Sequence, residues 1–463
     1  MNLFIVIAAL LLLMFVAYRG YSVILFAPVC AMLAVLVTAP ANVLPMFSEI
    51  FMEKMAGFLK LYFPVFMLGA VFGKVIEMSG FSKSIVSSVS NVVNRKRAIL
   101  AIVLVCAALT YGGISLFVVV FAVYPFAAEM FRQSEIPKRL IPGALALGSF
   151  TFTMDALPGT PQIQNIIPTT FFKTDAWAAP WLGAIGSVFI LACGLAYLSW
   201  RRRQAAAAGE GYGSGHINEP EPILDELLPN PWLAIAPLAL VAGLNKLIAF
   251  AITRWFGKTV TFGPAGHALT VDVSKMTGVW AVECALIAGI LFVIVFGWRQ
   301  VFRKFAEGSK SAISGALLAS MNTASEYGFG GVIAALPGFT VVADALKRIP
   351  NPLVNEAVTV TTLAGITGSA SGGMSIALAA MSDTFIQAAN ATHIPLEVLH
   401  RVAAMASGGM DTLPHNGAVI TLLAVTGLTH RTSYRDIFAV TLIKTVAVFV
   451  VIAVYYVCGG KVV

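Results

Sequence analysis

Two segments repeat one pattern 256 residues apart, each inside an apolar run: Met154-Asp155-Ala156-Leu157-Pro158-Gly159-Thr160 and Met410-Asp411-Thr412-Leu413-Pro414-His415-Asn416. A proline interrupts a helix, and a neighbouring aspartate sets a carboxylate at the interruption. In a bilayer, broken backbone and a charged group are tolerated where both line a shared cavity. Asp155 and Asp411 are therefore candidate ion-coupling groups that carry a proton or hold a cation; the alternative is that each caps the half-helix after it. Glu326 and Asp383 are further acids in apolar segments and further coupling candidates. His415, beside the second interruption, could titrate near neutral pH or contact an anion.

Two other apolar stretches are interrupted by glycines, at Tyr111-Gly112-Gly113-Ile114-Ser115 and Ser371-Gly372-Gly373-Met374-Ser375. Backbone N–H groups at half-helix N-termini carry partial positive charge and can hold a carboxylate without a permanent countercharge, while glycine lets a ligand approach. The candidate substrate-binding set is Gly112, Gly113, Ser115, Thr160, Gln162, Ser371, Gly372, Gly373, Ser375, His415 and Asn416. Its hydroxyl and amide groups offer hydrogen bonds of both polarities, which suits a hydroxy acid. The competing role of these small polar residues is to satisfy helix backbones and permit close packing.

The elements that position these residues must lie in lipid. At 58% hydrophobic and 11% charged residues, with a mean hydropathy of +0.86, the 463-residue chain has too little polar surface for a soluble globule. The net charge of +8 does not point to nucleic acid, because the basic residues sit in short clusters between apolar segments, such as Arg95-Lys96-Arg97, Lys138-Arg139 and Arg201-Arg202-Arg203. That is the positive-inside pattern. Cys30, Cys106, Cys193, Cys284 and Cys458 lie singly in apolar sequence and read as packing residues. There is no nucleophile elbow, zinc-protease motif, phosphate loop or metal-ligand spacing, so the chain reads as neither enzyme nor ATP-driven pump, with no cofactor or metal.

The expected fold is an all-α integral membrane protein. About ten full spans are centred on residues 3–17, 23–38, 61–78, 140–172, 181–200, 232–252, 279–298, 313–336, 398–428 and 437–457, the first a retained span at the start of the mature chain. Residues 98–130 and 354–389 read as re-entrant hairpins, and 140–172 and 398–428 as broken helices. With the basic clusters in the cytoplasm, both termini fall outside, in the periplasm, and the two hairpins enter from opposite faces. Residues 1–200 and 229–463 are then two inverted repeats, joined by a solvated cytoplasmic linker at 201–228 in which His216 is a loop residue. Gly73–Phe81 with Gly331–Phe339, and Ile136-Pro137 with Ile394-Pro395, recur at an offset of 258. Lys74 and Glu77 read as an interfacial ion pair.

Over nearly its whole length the chain resembles the gluconate:proton symporter (gluconate permease) family of the ion transporter superfamily, on its repeats, its opposed hairpins and the Ser369–Ser375 segment before a broken helix bearing an acid. The resemblance implies scaffold spans, a mobile transport part with elevator-like movement, a substrate site lined by both hairpin tips and both breaks, and a homodimer. The expected function is proton-coupled symport of a small organic anion across the bacterial inner membrane, the anion being gluconate or a related hydroxycarboxylate. Sodium-coupled transport of 3-hydroxybutyrate or a citrate-like acid, and a passive anion channel, stay open.

Overall fold

A computed structural model describes the chain except for residues 1, 20, 93–96, 115, 220–227, 264–268, 340, 342–348 and 415. Helices α1 (Asn2–Tyr18) and α2 (Val23–Thr38) lead into a continuous helical run, Pro40–Met78, which passes through a π-helical stretch at Met46–Met52 before α3 (Glu53–Met78). The π turn lets the extra residue bulge without ending the helix. Lys74 and Glu77, one turn apart near the end of α3, pair at 2.9 Å. Next come α4 (Phe81–Val92) and the helix pair α5 (Ala98–Tyr111) and α6 (Leu116–Gln133), separated by a short turn at Gly112–Ile114.

The first interruption divides residues 141–172 into α7 (Ile141–Ser149), the single turn α8 (Phe152–Asp155) and α9 (Ile163–Phe172). Two long helices follow, α10 (Pro180–Ala207) and α11 (Pro231–Phe256), both opened by proline in the first turn, where a missing N–H costs nothing. A short antiparallel ribbon, β1 (Thr259–Phe262) with β2 (Leu269–Asp272), is added to the helices: β-branched residues run together there, and Val260 pairs with Val271. Then come α12 (Val273–Phe296) and the 38-residue α13 (Trp298–Ala335).

The second helix pair is α14 (Pro352–Thr367) and α15 (Ala370–Ala391), the second interrupted helix is α16 (Leu396–Ser407) and α17 (Gly417–Thr426), and α18 (His430–Val457) closes the chain. Among the described residues, five helical runs are long and apolar enough to cross a membrane: Pro40–Met78, α10, α11, α12 and α18. The arms of the second pair pack so closely that a Cβ on Gly373 would lie 2.2 Å from the Ala364 backbone, so only glycine fits.

The segment after α10 departs from a free linker. Helix α10 continues through Arg201, which is buried and bonds Asp436 at 2.7 Å, and Tyr212 is buried as well. Downstream, the buried Lys138 donates to the Ile217 carbonyl and pairs with Glu219, both at 2.8 Å, while Tyr124 donates to the Asn218 carbonyl and Asn218 to that of Ala424. Arg139 grips Glu210 with two bonds of 2.7 Å and holds its carboxyl below the usual range. A basic lysine and arginine at the base of the first helix pair thus strap this segment down. His216 bonds only the local Tyr212 carbonyl.

Candidate functional site

Each interruption is fastened to the neighbouring helix turn by one amide side chain. Gln162, which precedes α9, donates to the carbonyls of Thr110 (2.7 Å) and Ile114 (3.2 Å), on either side of the turn between α5 and α6. Tyr111 donates to Pro158 across the same contact. In the second half, Asn416 donates to Gly368, at the turn between α14 and α15, at 2.7 Å, and accepts from the Val419 N–H as the cap of α17. Replacing Asn416 with alanine removes both bonds, and an expected loss of about 1–2 kcal/mol is measured as thermal unfolding in detergent; Asn416→Ser, which keeps the cap alone, recovers part of it.

Neither aspartate caps the helix that follows it. Asp155 ends α8, and the caps of α9 and α17 are Gln162 and Asn416. The aspartates instead meet two buried cations that local sequence did not single out. Lys444 on α18 bonds Asp411 and donates to the Phe150 carbonyl at 2.9 Å, at the end of α7, so one ammonium joins both interruptions. There it also meets the negative end of a helix dipole.

Arg401 on α16 is fully buried. It donates to the Asp155 carbonyl (3.0 Å), to Asn165 Oδ1 (3.0 Å) and twice to the Ala178 carbonyl (3.1 and 2.7 Å). Asn165 in turn donates to Thr160 and Ala176, and His400 bonds Thr174 and Asn165. The Asp155 carboxyl lies against Gly408, where a Cβ would approach its Oδ2 to 1.9 Å, and feels Lys444, Asp411 and Arg401. Two acids and two bases therefore form one buried cluster between the interruptions.

Thr160 and Ser375 are fully buried, and their hydroxyls have no hydrogen-bond partner among the described residues. Such orphans cost about 1–3 kcal/mol each unless water or a ligand meets them. Gly112 and Gly113 lie in the first turn, but Gly372 and Gly373 lie inside the first turns of α15, with the second turn at Gly368–Ser369 instead. Gly368 takes a φ of 65°, and Ser369 caps α15 by accepting from Gly372. Ser371 bonds Thr323 at 3.2 Å. Glu326 is buried beside Gly372, whereas Asp383 lies exposed on α15, away from the cluster. Ser115 and His415 lie outside the described residues. A further acid escaped sequence reasoning: Glu356 on α14 is wholly buried, with both carboxyl oxygens unpartnered among the described residues. Isolated Glu356, Arg401 and Lys444 within apolar segments were the available signal.

In a bilayer, a buried charge cluster between interrupted apolar helices is costly unless its members pair, and such groups mark functional sites there. The chain is 61% identical to the uncharacterized transporter YxjC of Bacillus subtilis, over 99% of its own length and all of that protein. It belongs to the same family of membrane transporters. No family model matches the chain. The crystal structure of the YdaH transporter of Alcanivorax borkumensis aligns over 92% of this chain and 90% of its own, at 14% identity and a TM-score of 0.49. By its 61% identity to that Bacillus subtilis protein, the chain is a mostly helical membrane transporter. Among the described residues no cluster of side chains could hold a metal ion.

Proposed function

We propose that this transporter is a secondary active symporter that carries a small organic anion, gluconate or a related hydroxycarboxylate, with protons across the inner membrane. In this reading residues 1–200 and 229–463 are inverted repeats, the two helix pairs are re-entrant hairpins, both termini face the periplasm and the protein works as a homodimer. The observation that carries the reading is the parallel fastening of Gln162 to the first tip and Asn416 to the second, with the Asp155–Asp411–Lys444–Arg401 cluster between them. Partial charges at the half-helix starts would hold the anion's carboxylate, and Thr160 and Ser375 would meet its hydroxyls. The carboxylates would hold the coupling ion, a proton first and sodium as the rival.

Uptake of labelled gluconate, 3-hydroxybutyrate and citrate into proteoliposomes under an imposed pH gradient, with and without sodium, tests this. The expected result is accumulation of one acid without sodium, lost in Asp155→Asn while exchange persists. Accumulation that needs sodium would transfer the coupling to that ion, and equilibration without accumulation would make the protein a passive channel.

A further inference from the structure

Glu326 occupies a place that the charge cluster does not explain. It sits on α13, 4% exposed, and its Oε2 has no hydrogen-bond partner among the described residues. The carboxyl lies on the first turn of α15: a Cβ on Gly372 would come within 1.7 Å of Oε2 and 2.9 Å of the Ser369 hydroxyl, which caps α15. One turn earlier on α13, Thr323 holds Ser371 at 3.2 Å, so the two helices are fixed together at this level. A 22-residue helix presents partial positive charge at its N-terminus, the natural seat of an anion. Here the chain's own carboxyl lies against that end of the helix.

Among the described residues, the charged groups of the packed elements leave Glu326 without an ion partner. On α3, Glu53 and Lys54 line a surface cavity of about 210 Å³ with Tyr62, Phe171 and Tyr327, the residue next to Glu326. On α15 the nearest acid, Asp383, is exposed further along the helix, and Glu356 lies buried on α14. Helix α2 carries no charged residue, and Glu49 lies on the π turn.

We propose that the Glu326 carboxylate is an internal stand-in for the transported anion. When it is ionised it occupies the N-terminus of α15 and excludes the substrate's carboxylate; when a proton binds one of its oxygens it withdraws, and the substrate's carboxylate takes the seat. One proton taken up by Glu326 thereby licenses one anionic group, and both leave together on the other side. The inference rests on the symporter reading and adds to its coupling carboxylates a proton-binding carboxyl at the substrate seat.

The test is binding and uptake, between pH 6 and 8, of whichever of gluconate, 3-hydroxybutyrate and citrate the native protein carries. Native affinity is expected to fall by up to about tenfold per pH unit on the alkaline side, the slope of one linked proton. Glu326→Gln, permanently neutral, is expected to bind equally at both pH values and to exchange substrate, but to lose gradient-driven accumulation. Glu326→Asp, which restores an acid, should recover part of the pH dependence. Size-exclusion profiles and melting temperatures identify a variant that fails to fold, in which case Glu326→Asp carries the test by a displaced pH profile. A Glu326→Gln protein with native pH dependence, or a Glu326→Asp profile identical to native, overturns the inference while leaving symport intact; native protein that carries none of the acids overturns the symporter reading and the inference with it.

Discussion

Replacing Lys444 with methionine is expected to destabilise the transporter by about 3–5 kcal/mol, because it strands the buried Asp411 carboxyl and removes the donor to the Phe150 carbonyl. The loss comes from leaving one charge without its partner, so it should be partly offset when Asp411 is also neutralised. Asp411→Asn alone is expected to be costly too, since it leaves an ammonium buried at 2% exposure. The double variant Asp411→Asn/Lys444→Met should sit well above the sum of the two losses, with a coupling energy of about 1–3 kcal/mol. Thermal unfolding of the four proteins in one detergent gives the cycle. Additive losses would mean that the ammonium acts chiefly on Phe150, at the end of α7, rather than on Asp411.

Arg401→Met is expected to cost a comparable amount, about 3–5 kcal/mol. Its guanidinium spans two sides of the first interruption, with the Asp155 carbonyl before it and Asn165 and the Ala178 carbonyl after it. Arg401→Lys keeps the charge but not the planar fork, so a single ammonium reaches only part of this set and should recover less than half of the loss. The effect has a functional side as well. Asn165 holds Thr160, so loosening Arg401 should raise the substrate concentration needed for half-maximal uptake more than Lys444→Met does when both are compared at equal folded protein. A fully native Arg401→Lys would show that charge alone, not the fork, holds the interruption.

The symmetric appearance of the two tips conceals a difference with consequences for these experiments. The turn of the first pair contains Gly112 and Gly113, whereas Gly372 and Gly373 lie within α15 and serve close packing. The match Gly-Gly-x-Ser therefore aligns residues with different local jobs. The fastening bonds align better: Thr110 and Ile114 bracket the first turn, and Gly368 opens the second. Substitutions at the glycines of the second tip should be read as changes to helix packing and to the Glu326 seat, and those at the first as changes to a turn.

What the sequence determined by itself is what local chemistry determines. Apolar runs of span length with basic clusters between them make a helical membrane protein, and Pro158 and Pro414 stand where helical hydrogen bonding stops. The Lys74–Glu77 pair follows from helical spacing alone. The β ribbon after α11 and the strapping of residues 212–219 were not legible, because each depends on partners that spacing does not reveal; Tyr124 meets Asn218 from 94 residues away. The same holds at the site. Asp155 and Asp411 announce themselves as acids in apolar sequence, but that Arg401 reaches the Asp155 carbonyl across 246 residues, and that Lys444 joins both interruptions, was decided only when the helices packed. A buried charge is tolerable only beside its partner, and which partner that is belongs to the tertiary structure, since no local rule of sequence brings two distant helices together.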